Sequence, residues 1–145
     1  MAEKTIAELV HECYWVHDYN CAVTTLHVLS DLFGPGLESQ VLDAATGMHG
    51  AGGFRAQCGL VEGTLMFLGI HFAVKGKSAN DAADICRDFA SRFSRRYGSL
   101  TCAQLRPGGF NSDDPPHLCE GLSVKCIAFA HNFIMTNTSR QKSNH

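Results

Sequence analysis

The stretch GGFRAQCGLVEGTLMFLGIHFAVK, residues 52–75, decides the fold. Val61, Leu65, Leu68 and Phe72 recur within it at three- and four-residue spacing, the period of an α-helix. The spacing predicts a long apolar helix over about 56–75. Gly59 and Gly63 lie four apart and so share one face of that helix. A glycine inside a helix costs about 1 kcal/mol against alanine, so two on one face call for a reason. The physical reason is room: without side chains there, a second backbone can approach closely.

The pattern continues outward in both directions. Ile6, Leu9, Val10, Cys13 and Val16 predict a helix over 3–18. Asn20 reads as the N-cap of a second helix, about 21–33, stopped by Gly34-Pro35-Gly36. A short amphipathic helix follows at 37–47, then a glycine-rich loop holding Gly47, Gly50, Gly52 and Gly53. Beyond the long apolar helix, Ser78 caps a helix over about 79–97 that Gly98 ends. A helical turn is expected at Thr101–Leu105, a loop at RPGGFNSDDPP, and a last helix over about 117–135. The polar tail, 136–145, is expected to be disordered. No strand pattern and no repeat interrupts the series. The fold class is therefore all-α: one domain, residues 1–135, built as a bundle of five to six helices.

Composition narrows the function. The 145 residues carry a formal net charge of −2 and no basic stripe, which argues against nucleic acid as a partner. The longest apolar stretch, Leu65–Val74, is too short to span a bilayer. The start, MAEKTIAELVHE, lacks the basic and apolar regions of a secretory signal, so a cytoplasmic, reducing location is expected. The apolar content is high enough to permit a homodimer. Seven cysteines stand out, and an odd number cannot pair fully within one chain. In a reducing compartment such cysteines point to metal binding or catalysis rather than to a disulfide framework.

Four of the seven fall at expected helix starts: Cys21 after the cap Asn20, Cys58 opening the long apolar helix, Cys102 opening the short turn, and Cys119 opening the last helix. A thiol there meets the positive end of the helix dipole, and Arg55 lies three residues before Cys58. Both effects favour thiolate, the reactive and metal-binding form. Against this stands the packing reading, in which each is a small buried hydrophobe. Glu62, four residues after Cys58, is a charged candidate on the thiol's own helix face, and His117 is a candidate ligand or thiolate partner. Cys13, Cys86 and Cys126 sit within apolar stripes and read as core. No Cys-x-x-Cys, G-x-S-x-G or P-loop occurs, which removes the thioredoxin-type site, the zinc ribbon and the common hydrolase and nucleotide motifs.

With these cysteines in hand, the chain resembles the C_GCAxxG_C_C family of redox-active proteins, named for four cysteines with a Cys-Gly-Ala-x-x-Gly motif at the second. The likeness runs from about Cys13 to Phe133. It places the family's first cysteine on Cys21, its central motif on Cys58-Gly59-Leu60-Val61-Glu62-Gly63, its third cysteine on Cys102 and its fourth on Cys119. Leu60 stands where the motif has alanine. The resemblance implies redox activity but no particular reaction.

Two chemical versions follow. In one, Cys21, Cys58, Cys102 and Cys119 ligate a metal centre, foremost an iron–sulfur cluster for electron transfer, with Arg55 and Glu62 beside it. In the other, the same cysteines run thiol–disulfide exchange, with Cys58 as nucleophile and Cys21 in the catalytic set. A structural zinc site, or a helical interaction module with inert cysteines and no cofactor, completes the alternatives. The redox partner is not written in the sequence.

Overall fold

The computed structural model describes residues 3–34 and 36–143. Thr5 starts the first helix, α1 (Ile6–Trp15), by a capping box: its hydroxyl accepts the Glu8 N–H, and the Glu8 carboxylate accepts the Thr5 N–H. Asn20 opens α2 (Cys21–Phe33) by accepting the Val23 N–H at 2.9 Å. Two short pieces follow, α3 (Ser39–Ala44) and α4 (Gly50–Gly53). The second is a tight turn in which Ala51 and Gly52 take left-handed conformations. Then come α5 (Gly59–Val74), α6 (Ala79–Tyr97), the single turn α7 (Cys102–Leu105) and α8 (Glu120–Ser143). Ser78 caps α6, and Gly98, at φ 84°, ends it. The five longer helices make the bundle expected from the sequence; the three short ones join them. Among the described residues the only β-type contact is an isolated antiparallel bridge between Gln57 and Thr101.

α5 is the central rod. It packs most extensively on α2, then on α6, while α8 crosses both α2 and α5, and α1 lies on α8 and α2. Its buried residues, among them Leu60, Val61, Phe67, Leu68 and Phe72, point to several sides rather than one. This is the signature of a helix enclosed by others. α6 instead buries one stripe, centred on Phe89 and Phe93. Each fully buried phenylalanine contributes about 1.5–3 kcal/mol relative to exposure.

The glycine face of α5 meets α2 as the spacing requires. A Cβ on Gly63 would stand 2.6 Å from the Ala22 carbonyl oxygen, and one on Gly59 2.2 Å from Cys21 Sγ. The start of α8 is tied to α1 by a chain in which Tyr14 Oη lies 2.6 Å from Ser123 Oγ, itself bonded to the Cys119 carbonyl. Trp15 donates to Glu120, whose carboxylate also meets His11.

Residues 136–145 were expected to be disordered, yet α8 continues through Ser143; 144–145 lie outside the described residues. The cause is local. No proline or glycine interrupts the run, and Asn137 and Thr138 fold their polar side chains back onto the Phe133 and Ile134 carbonyls. No helix among the described residues is long and apolar enough to cross a membrane.

Candidate functional site

Cys21 is the first residue of α2, and its sulfur faces the start of α5, where the Gly59 N–H donates to it. Only glycine permits this approach, since any side chain at 59 would occupy the sulfur's place. Cys58 stands one residue before α5, in extended backbone; its carbonyl accepts the Val61 and Glu62 N–H groups at 3.0 Å, its side chain makes no capping hydrogen bond, and the Leu60 and Val61 N–H groups favour its thiolate. The Gln57–Thr101 bridge then brings in the third cysteine. Cys58 N–H donates to the Leu100 carbonyl at 2.9 Å, and Cys102 N–H to the Ala56 carbonyl at 2.6 Å, so the two cysteines flank one bridge. Cys119 immediately precedes α8, its carbonyl accepting the Ser123 N–H at 2.8 Å. The structure thus brings the four helix-start cysteines to one place, although they are far apart along the chain.

Above them lies a cavity of about 370 Å³. Cys21, Cys102 and Cys119 line it; Cys58, only 5% exposed, does not. The wall also includes Tyr14, Asn20, His49, Arg55, Arg106 and Phe110, along with Asp18 and His117. Asn20 does double duty: besides capping α2, its amide donates to the Thr46 carbonyl at 2.9 Å and to His49 Nδ1 at 3.2 Å, which holds that ring in the wall. His117 stacks on Tyr14, meets Trp15 edge-on and pairs with Asp18 at 3.2 Å.

The electrostatics correct the expectation of a ready thiolate at Cys58. Burial pushes its pKa up to about 11, outweighing the two N–H donors. Burial and the neighbouring Cys58, Cys102 and Cys119 push Cys21 up to about 12. Cys102 and Cys119 are also raised by burial, but against opposition: Arg106 and Arg55 favour the Cys102 thiolate, and Arg106 does so for Cys119, to which it hydrogen-bonds. Arg55 therefore acts on Cys102 rather than on Cys58, its neighbour in sequence. Glu62 does not line the cavity. Its backbone still lies one turn after Cys58, with the Glu62 N–H donating to the Cys58 carbonyl at 3.0 Å.

The packing cysteines differ among themselves. Cys13 and Cys126 are buried, while Cys86 is half-buried, with its thiol 3.7 Å from the Leu65 carbonyl. Burial and the nearby Cys58 push Cys126 up to about 12, so a fifth thiol borders the cluster from the core side.

Four thiols are a donor set that iron or zinc accepts. As placed, however, no three Cys, His, Asp or Glu side chains among the described residues form a group able to hold a metal ion.

Sequence reasoning did not single out His49, Arg106, Phe110, Tyr14 or Asp18. Only Asn20, found as a cap, carried a local signal. No curated protein and no solved structure matches the chain. One family model does, over residues 19–133, a span holding all four helix-start cysteines and every cavity residue but Tyr14 and Asp18. The chain belongs to the family described as "Putative redox-active protein (C_GCAxxG_C_C)".

Proposed function

We propose that the protein is a thiol–disulfide oxidoreductase that works with the cysteines around the cavity, Cys102 attacking first. The observation that carries this reading is the grouping of Cys21, Cys102 and Cys119 on one cavity wall, with arginines opposing the burial shift at Cys102 and Cys119. Attack moves here from Cys58, whose sulfur lies beneath the wall. In the forward direction the Cys102 thiolate attacks one sulfur of a substrate disulfide. The substrate S–S bond breaks, its other sulfur leaves as thiolate and takes a proton, and a mixed disulfide forms. A second cavity thiol, Cys119 or Cys21, gives up its proton and attacks Cys102 Sγ. The second substrate thiol leaves, and the protein holds a new disulfide. Two electrons pass from the protein to the substrate, and a dithiol reductant restores the starting state.

A metal-centre reading is kept because four cysteines gather at one place, the number that an iron–sulfur cluster or a closed zinc site uses. One preparation tests both. The protein is purified anaerobically, its metal and sulfide contents and visible spectrum are measured, and its thiols are titrated in the native state. Exchange chemistry expects a metal-free protein with reactive native thiols, whose most reactive one is lost in Cys102→Ser and kept in Cys86→Ala. Stoichiometric iron with sulfide, or tightly held zinc, with native thiols that do not react, would replace the exchange reading.

A further inference from the structure

Besides favouring thiolate at Cys102 and Cys119, the charges that surround this cavity differ in how they are paired. Arg106 is neutralised by Asp114 at 3.1 Å and fixed by donating to the Gly109 carbonyl. Asp18, its side chain 89% exposed, is engaged with His117. His49 is held by the Asn20 amide. Arg55 is different: among the described residues no carboxylate lies within ion-pair distance of it. Its guanidinium sits 3.9 Å from the centre of the Phe110 ring, and that of Arg106 sits 4.3 Å from the same centre. Two cations are thus gathered on one aromatic ring, with a single carboxylate, Asp114, paired to one of them. An anion entering the cavity would find one guanidinium unpaired, with an apolar ring beside it.

The backbone points to the same wall. Four non-glycine residues among those described take positive φ, and three of them line this cavity: Asp18 at 54°, Arg55 at 62° and His117 at 58°. Each such conformation costs about 1–2 kcal/mol, and strain of this kind gathers at ligand clamps. At Arg55 it turns a basic side chain toward the cavity, within electrostatic reach of Cys102.

We infer that the cavity selects small organic anions that carry a disulfide, with Arg55 holding the negative group, Phe110 covering the body of the molecule and the S–S bond delivered to Cys102. The inference rests on the exchange reading above and adds the substrate class. A volume of about 370 Å³ suits a small molecule rather than a protein segment.

Two aromatic disulfides of similar size separate charge from reactivity: dithiobis(nitrobenzoate), a dianion, and dithiodipyridine, which is neutral. Each attack forms a mixed disulfide with the protein and releases one absorbing thiol, so both rates are read directly on the full native chain. Any effect of Arg55 on the thiolate at Cys102 alters both rates alike and cancels in their ratio. Arg55→Gln should lower the dianion-to-neutral ratio by about two- to fivefold, the effect of an exposed charge pair. Raising the ionic strength on the unmodified protein should lower the ratio in the same direction, with no dependence on how the variant folds. The charge-sensitive phase should vanish in Cys102→Ser. A ratio unmoved by salt and by Arg55→Gln, with both probes still reacting briskly, overturns the inference and leaves thiol exchange standing. Silence toward both probes in the native state removes thiol exchange itself, and the inference with it.

Discussion

A methyl group at Gly63 would stand 2.6 Å from the Ala22 carbonyl oxygen and 2.9 Å from Thr25 Cβ. Helix propensity alone would make Gly63→Ala favourable by about 1 kcal/mol. The clash opposes it, and because one partner is backbone it cannot be relieved by turning a side chain; overpacking of this kind costs about 1–3 kcal/mol. Gly63→Ala should therefore destabilise the protein by about 1–2 kcal/mol, measured as a lower urea midpoint with an unchanged slope. A stabilised variant would show that α2 and α5 do not pack this closely. The close approach was legible in the sequence, because two glycines four apart weaken an apolar helix unless a neighbouring backbone fills the space they leave. The state of Cys58 was not. The helix begins at Gly59 rather than near residue 56, and that shift takes the thiol out of the first turn and buries it.

At the scale of the element, Asn20 binds three things at once: the start of α2, the Thr46 carbonyl and His49. Asn20→Ala should cost about 1–2 kcal/mol, the loss of an N-cap with its added contacts. Asn20→Asp keeps the cap acceptor but loses the amide donors, so it should recover most of the stability while leaving His49 unheld. Thermal unfolding of the two variants separates the roles; equal losses in both would assign the stability to the amide donors instead of the cap. Caps explain which boundaries could be read beforehand. Asn20, Ser78 and Gly98 mark α2 and α6, and those ranges agree with the sequence reading. The end of α8 has no such mark, and there the polar side chains that suggested disorder bond back onto the helix. The Gln57–Thr101 bridge left no trace in the sequence, because a pairing one residue long has no period to detect.

Across the whole molecule, two sets of buried groups bound the pH range of stability. His71 is packed among Phe33, Phe67 and Phe72, its Nε2 is buried without a hydrogen-bond partner, and burial lowers its pKa from 6.5. The unfolded chain then takes up a proton more readily than the folded one, so stability falls as pH drops below about 6.5. The thiols act oppositely. Cys13 and Cys58 are pushed up to about 11, and Cys21 and Cys126 to about 12, so the unfolded chain loses protons first as pH rises above about 9. Urea unfolding across pH should give a plateau bounded by both losses. His27 is lowered by burial in the same way, so His71→Phe should reduce the acid-side loss without abolishing it and leave the alkaline side unchanged; an acid limb of undiminished size in the variant would place its cause in other groups. The helical architecture could be read from spacing, and the family from the resemblance of the residues around Cys21, Cys58, Cys102 and Cys119. The cavity could not, because its wall is assembled from separate segments, each unremarkable alone: the end of α1, the start of α2, the α4 turn, α7, the loop to Phe110 and the start of α8.

The way the cluster is assembled has a consequence during synthesis. Residues 21 and 58 leave the ribosome well before 102 and 119, and the Gln57–Thr101 contact that seats Cys58 cannot form until the second half of the chain exists. In that interval the early sulfurs ionise as free cysteines do, far more readily than in the finished bundle. A half-made chain is thus more open to unwanted oxidation than the completed protein. Closing the bundle over its sulfurs is also what protects them.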